Sequence, residues 1–233
     1  MDKIGLNGLL DFIYPPVCLC CDEYLADASV PVCPDCVEKI PRVDYPFCNN
    51  CRQFLENKAV CRDCGDLSLP VFCLGYFTDE LQKMIHQFKY YGFTRLGREL
   101  AAMLTDKYLE ALKRLDADFI LPVPLHSIRE KSRGFNQAAV LADTITSRIG
   151  VPVVTEALMK MRRTKDQAKL NPEQRRKNVK NAFRVSDFNI TGKKIIIMDD
   201  VVTTGATVNE VALTLRHAGG HPVAVCAIAA AGF

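Results

Sequence analysis

Eight of the eleven cysteines in this 233-residue chain form four Cys-x-x-Cys pairs inside residues 18–64: Cys18/Cys21, Cys33/Cys36, Cys48/Cys51 and Cys61/Cys64. Two cysteines three apart on a tight turn aim both sulfurs at one ion. Two such pairs close a tetrahedral shell of thiolates, which suits a structural Zn²⁺ with no open catalytic position. The spacing, C-x2-C-x11-C-x2-C followed by C-x2-C-x9-C-x2-C, describes two zinc ribbons in tandem. Sequential quartets are the expected pairing, and a crossed one, first pair with third, satisfies the same count. A disulfide scaffold needs an oxidising compartment. A redox Cys-x-x-Cys is ordinarily single and opens a helix. Cys20 is left over, and Cys73 and Cys226 lie in apolar runs that read as buried strands. A segment this short and polar has little core of its own, so metal should supply folding energy on the order of 10 kcal/mol per site.

Charge divides the chain at the same place. Residues 1–70 hold six basic and eleven acidic side chains, and the remainder holds 24 and 16, so the overall +3 averages an acidic end and a basic one. Two Zn²⁺ on eight thiolates carry a net −4, which takes the loaded chain to about −1. The acidic ribbon is therefore expected to dock on the rest of the chain or on a protein rather than on nucleic acid. Residues 1–16 place Ile4, Leu6, Leu9, Leu10, Phe12 and Ile13 on one helical face ahead of Pro15-Pro16. They lack the basic start and continuous apolar core of a secretory signal. No run reaches the ~18 apolar residues of a membrane span. A cytoplasmic protein is expected.

From Val71 the texture changes. Val71–Phe77, Asp118–Val123, Val151–Leu158, Lys194–Met198 and Pro222–Ala229 read as strands. Thr78–Lys89, Thr94–Leu112, Asn136–Arg148 and Ala206–Ala218 read as helices, the last two closed by Gly150 and Gly219-Gly220. Alternating strands and helices imply an α/β domain with a mostly parallel sheet covered on both faces. Ligands in such folds bind at the carboxyl ends of the strands. The expected division is a short helix over 1–16, the double zinc ribbon over 17–70, and the α/β domain over 71–233.

At the end of the Lys194–Met198 strand two carboxylates, Asp199 and Asp200, precede Val201, Val202, Thr203, Thr204, Gly205, Ala206 and Thr207. Free amides at a helix N-terminus together with threonine hydroxyls can hold a monophosphate. The acid pair can accept hydrogen bonds from adjacent ribose hydroxyls. Helix capping explains one threonine but not the consecutive acids, and no G-x-x-x-x-G-K-[ST] phosphate loop occurs. Residues 195–207 resemble the phosphoribosyl pyrophosphate (PRPP) signature of type I phosphoribosyltransferases. That resemblance implies that Asp199 and Asp200 hold the ribose hydroxyls and that residues 203–207 hold the 5-phosphate.

The resemblance narrows further. Leu121–Ala138 contains P-V-P-L…R-G-F-N-Q, Phe88-Lys89-Tyr90-Tyr91-Gly92 matches F-K-Y-x-G, and Gln167, Leu170, Arg175 and Asn178 match Q-x-x-L…R-x-x-N. These runs, behind a double zinc ribbon, are similar to those of the ComF/ComFC family. Membership implies a role in DNA uptake, competence or DNA utilisation, with competence-machinery proteins such as a helicase as partners. In the transferase fold the loop after the first core strand binds pyrophosphate. Arg129 and Arg133 fall there, with Lys89 as a further candidate and His126 as a structural residue. A basic loop follows: residues 160–180 hold nine basic and two acidic residues, among them Arg162, Arg163, Lys165, Lys169 and Arg175. By resemblance it closes over PRPP.

Two functions remain open. As a transferase, the chain would displace pyrophosphate from PRPP with Mg²⁺ shielding the leaving group. Oxopurine-specific members carry Asp where this chain has Thr203, which cannot act as a base, so a hypoxanthine or guanine acceptor is not expected. As a PRPP-responsive binder of single-stranded DNA, it would use the basic loop together with Tyr90, Tyr91, Phe93 and Phe135 to hold backbone and bases.

Overall fold

The run Ile195-Ile196-Ile197-Met198 is fully buried on both faces, which makes it the centre of the sheet rather than an edge. The computed structural model describes residues 15–27, 29–56, 61–65, 68–164 and 170–231. The expected helix over 1–16 and the basic residues Lys165 and Lys169 lie outside the described residues, apart from Pro15 and Pro16.

The ribbon contributes a short helix α1 (Pro34–Glu38) and a two-residue strand β1 (Phe47–Cys48). The α/β part then runs β2 (Pro70–Tyr76), α2 (Asp79–Tyr91), α3 (Thr94–Arg114), β3 (Phe119–Pro122), α4 (Ser127–Arg133) and α5 (Gln137–Ile149). It continues through β4 (Leu158–Lys160), α6 (Pro172–Val179), β5 (Phe183–Val185), β6 (Lys194–Val202), α7 (Ala206–His217) and β7 (His221–Ala230). Among the described residues the main sheet has the order β1-β2-β7-β6-β3, parallel throughout except for β1, which pairs antiparallel with β2 at Phe47↔Val71.

Strand alternation sorts the core into two layers. Ile196, Met198, Phe72, Leu74 and Ile120 point toward Leu81, Met84 and Phe88 of α2, Leu100 and Leu104 of α3, and Leu141 and Ile145 of α5. Ile195, Ile197, Val71, Phe119 and Leu121 point toward Val208, Val211 and Leu215 of α7. Each such large apolar side chain withdrawn from water stabilises the fold by about 2 kcal/mol. Capping fixes the helix ends. Asn136 accepts from the Ala138 amide (3.0 Å), and Asn171 and Gln174 form a capping box on α6.

The element types expected from the sequence hold over most of the domain, with ends within four residues of those expected. The strand expected over Val151–Leu158 does not form. Val153 makes one isolated bridge to Ile120, and the chain pairs later, as β4 with β5 in a separate two-stranded sheet. Pro152 and exposed Glu156 interrupt the apolar alternation there. Part of the basic stretch is helical in α6, whose capping box and N-terminal proline outweigh its lack of an apolar face. Among the described residues no helix is long and apolar enough to cross a membrane.

Candidate functional site

The eight paired cysteines gather in two quartets, Cys18/Cys21/Cys33/Cys36 and Cys48/Cys51/Cys61/Cys64, each with all ligand atoms within 4.8 Å of one another. The pairing is sequential, and the crossed arrangement is set aside. The turns that bring the sulfurs together are alike. The Asp22 amide donates to the Cys18 carbonyl (2.9 Å) and the Arg52 amide to the Cys48 carbonyl (3.0 Å), with Asp22 and Arg52 both at positive φ. Backbone amides also aim at sulfur: Cys20 N and Cys33 N at Cys18 Sγ (3.4 and 3.3 Å), and Asn50 N at Cys48 Sγ (3.4 Å). Burial raises the Cys18 thiol, but the amides of Cys33, Cys21 and Cys20 outweigh it and bring it down to about 7. Four soft donors with N–H···S support fit zinc. Cys73 and Cys226 are fully buried core residues, as expected.

The second centre lies at the carboxyl end of β6, which carries Asp199 and Asp200 to the sheet edge. The Asp200 amide donates to Asp199 Oδ1 (2.8 Å). Lys89 Nζ, from the last turn of α2, lies 2.8 Å from Asp200 Oδ2, and Gln137 Nε2, from the first turn of α5, reaches the same oxygen at 3.4 Å. Burial, then the charge of Asp200, push the Asp199 carboxyl up to about 7, against the pull of the Asp200 amide, Lys89 and Lys160. Burial likewise lowers the Lys160 ammonium, with Asp199 opposing. Beyond the acids the chain passes Thr203 and Thr204 to Gly205, at φ +74, which caps α7. Only glycine adopts that conformation without strain. A cleft lined by Asp199, Val201, Thr203, Gly205, Ala206 and Thr207 opens onto the start of α7. Val202 is buried beneath it.

The other expected site residues divide. Lys89 stands at the acids. Arg129, on α4, is close enough to Lys160 to lower its ammonium further. Arg133 places its guanidinium 5.1 Å from the centre of the Tyr90 ring. Arg162 donates to the carbonyls of Asn178 (3.1 Å) and Lys180 (2.8 Å) and so closes α6, while Arg175 Nε donates to the Leu170 carbonyl (2.9 Å). Arg163 is exposed. His126 caps α4 by accepting from the Ile128 amide (3.4 Å). Two residues at the acids were not singled out from the sequence. Gln137 is 4% exposed, rare for glutamine, and it ends the R-G-F-N-Q run. Lys160 carried no signal beyond its place in a charge run.

A larger groove, about 480 Å³, lies between the first cysteine quartet and α2, lined by Leu19, Cys20, Asp22, Asp79, Lys83 and His86. Its charges are mixed, and the helix start on its wall carries the carboxylates of Asp79 and Glu80, which oppose an anion, so the chemistry favours the smaller cleft.

A double zinc ribbon domain model matches residues 9–65 and a phosphoribosyl transferase domain model matches residues 131–232. The fold and the paired sites thus define a zinc-ribbon protein built onto a phosphoribosyltransferase-type domain. The chain is 32% identical over 165 residues to Competence protein F of Haemophilus influenzae, covering 68% of this chain and 71% of that one. It is 34% identical over 152 residues to DNA utilization protein YhgH of Salmonella typhi (64% and 66% covered). It is 28% identical over 171 residues to Competence protein ComFC of Bacillus subtilis (69% and 68% covered). The chain belongs to the ComF/ComFC family. Each match spans between about two thirds and seven tenths of the relative's own length.

Proposed function

We propose that this chain is a PRPP-binding protein of DNA uptake or DNA utilisation, with the ligand seated at the carboxyl end of β6. The observation that carries the reading is the partly buried acid pair Asp199–Asp200, followed at once by a glycine-capped helix start. In this reading the two carboxylates accept from the ribose 2- and 3-hydroxyls. The amides and hydroxyls of residues 203–207 hold the 5-phosphate, supported by the positive end of α7. Pyrophosphate, with Mg²⁺, faces Lys89, Arg129 and Lys160. Lys89 and Gln137 orient Asp200 and compensate its charge, leaving Asp199 as the more readily protonated partner.

A transferase would use these groups to stabilise pyrophosphate as it leaves and positive charge as it develops on the ribose. Titration of the zinc-loaded chain with PRPP and Mg²⁺ by calorimetry tests binding. Pyrophosphate release across a panel of nitrogen bases then separates a transferase from a binder. The expected result is one PRPP per chain, weakened at least tenfold in Asp200→Ala. Unchanged affinity in that variant would sink the assignment.

One observation favours a second reading, a contact with single-stranded DNA. Tyr90 and Tyr91 are 61% and 67% exposed directly after Lys89, with Arg133 over Tyr90 and the His86 ring tilted at 41° against it, 4.7 Å between centres. Exposed rings beside cations form a stacking platform for bases. Binding that does not weaken as salt rises would exclude it.

A further inference from the structure

The second cysteine quartet touches the phosphate loop. From Cys48 the chain turns through Asn49 and Asn50 to Cys51. A Cβ placed on Gly205 would lie 2.6 Å from the Asn49 carbonyl oxygen, so this turn packs directly against the residue that caps α7. Side chains complete the junction. Asn49, 1% exposed, donates from Nδ2 to Asn209 Oδ1 (2.5 Å), and Asn209 Nδ2 donates to Asn50 Oδ1 (2.8 Å). Asn49 Oδ1 accepts from the Leu69 amide (2.5 Å), which anchors the turn to the sheet. The Asn209 amide closes the first turn of α7 on the Gly205 carbonyl (2.8 Å). The amide of Asn50 meanwhile points at Cys48 Sγ. One tripeptide therefore supports a metal ligand on one side and the start of α7 on the other.

The two quartets differ in what else holds them. Cys18 and Cys36 belong to the main core with Leu81 and Met84. Cys48 and Cys61 share a small cluster with Leu55, and Cys64 packs against it. With so little apolar support, the shape of the 48–51 turn depends on its metal, on the two-residue β1–β2 pairing and on the hydrogen bonds of Asn49 to Leu69 and Asn209.

We propose that the second zinc site is a positioning device for the phosphate loop, with Asn49 and Asn209 as the coupling residues. This rests on the PRPP reading above. Zinc holds the 48–51 turn, the turn backs Gly205 and Asn209, and these set the amides that face the 5-phosphate. Coupling between two sites is reciprocal. PRPP must then retard zinc loss from the second quartet and leave the first unaffected.

The test measures zinc release from the zinc-loaded full chain into excess colorimetric chelator, with and without PRPP and Mg²⁺. Cys21→Ser, which weakens the first quartet, identifies its zinc as the faster-leaving equivalent. PRPP binding to the same samples is measured by calorimetry. The expected result is that PRPP slows release of the second-quartet zinc by about fivefold or more while the first is unchanged. Asn209→Ala should keep two zinc per chain, melt a few degrees lower because the buried Asn49 Nδ2 loses its acceptor, bind PRPP about five- to tenfold more weakly, and lose the protection. Asn50→Ala, which removes the other acceptor, should show the same uncoupling more mildly. Binding of PRPP with no change in either release rate, or with both slowed equally, overturns the coupling and leaves the PRPP reading intact. Wild-type affinity in Asn209→Ala overturns it as well. Absence of PRPP binding to the zinc-loaded wild type removes the underlying reading and the coupling with it.

Discussion

Replacing Asp199 with Asn should stabilise the protein at alkaline pH while weakening its ligand. Asp199 sits against Asp200, and its carboxyl rises from 3.8 to about 7 because burial and the neighbouring charge disfavour the anion. Between these values the native state keeps a proton that the unfolded chain has lost. Stability from this group therefore falls as pH rises from about 4 to about 7, and the deficit is constant above that. Carried through, the ionised carboxyl costs the native state about 2 kcal/mol more near pH 8.5 than near pH 5.5. Asn keeps the acceptor for the Asp200 amide, which donates at 2.8 Å, so the substitution removes charge with little loss of geometry. Urea unfolding of wild type and Asp199→Asn, both zinc-saturated, should show the variant's advantage growing by about 2 kcal/mol across that pH interval. PRPP affinity should fall about tenfold, since a neutral amide accepts more weakly from hydroxyls than a carboxylate. A pH-independent difference, or a variant less stable at high pH, would refute the assignment of a strained acid pair.

Three further outcomes follow from the same geometry. Gly205→Ala must hold φ +74 and place a methyl 2.6 Å from a backbone oxygen, so it should cost about 1–3 kcal/mol in thermal unfolding and weaken PRPP. Lys89→Gln removes the 2.8 Å partner of Asp200, with both side chains under one-fifth exposed; a loss on the order of 2 kcal/mol should appear in urea melts, with weaker PRPP binding in calorimetry. Chelation should release amide protection around Cys48–Leu55 and Cys61–Gly65 while β6 and β7 stay protected, read by hydrogen exchange.

The sequence carried the central features unevenly. The cysteine spacing was decisive for two quartets and favoured sequential pairing without excluding a crossed one, because either leaves every thiol with three partners; three-dimensional proximity settles it for the sequential quartets. Ile195–Met198 was legible as a buried strand because a run without polar interruption has no solvent face. The Val151–Leu158 expectation failed because a short apolar stretch with a proline can skirt a sheet edge as readily as join it. Lys160 was invisible as a site residue because its role depends on where β4 and β5 place it relative to Asp199. Neither Asn49 nor Asn209 carries a local signal, since they meet across 160 residues. Asp199 and Asp200 were legible because an acid pair at the end of an apolar strand has no packing rationale.

The central claim is that the end of β6 and the start of α7 hold a phosphorylated ribose. A crystal structure of the zinc-loaded chain with PRPP and Mg²⁺ tests it most directly. The account predicts the ribose hydroxyls on Asp199 and Asp200, the 5-phosphate on the amides of residues 203–207, and pyrophosphate on the side of Lys89 and Arg129. A ligand bound elsewhere, or one in this cleft with its phosphate turned away from Gly205, would contradict it.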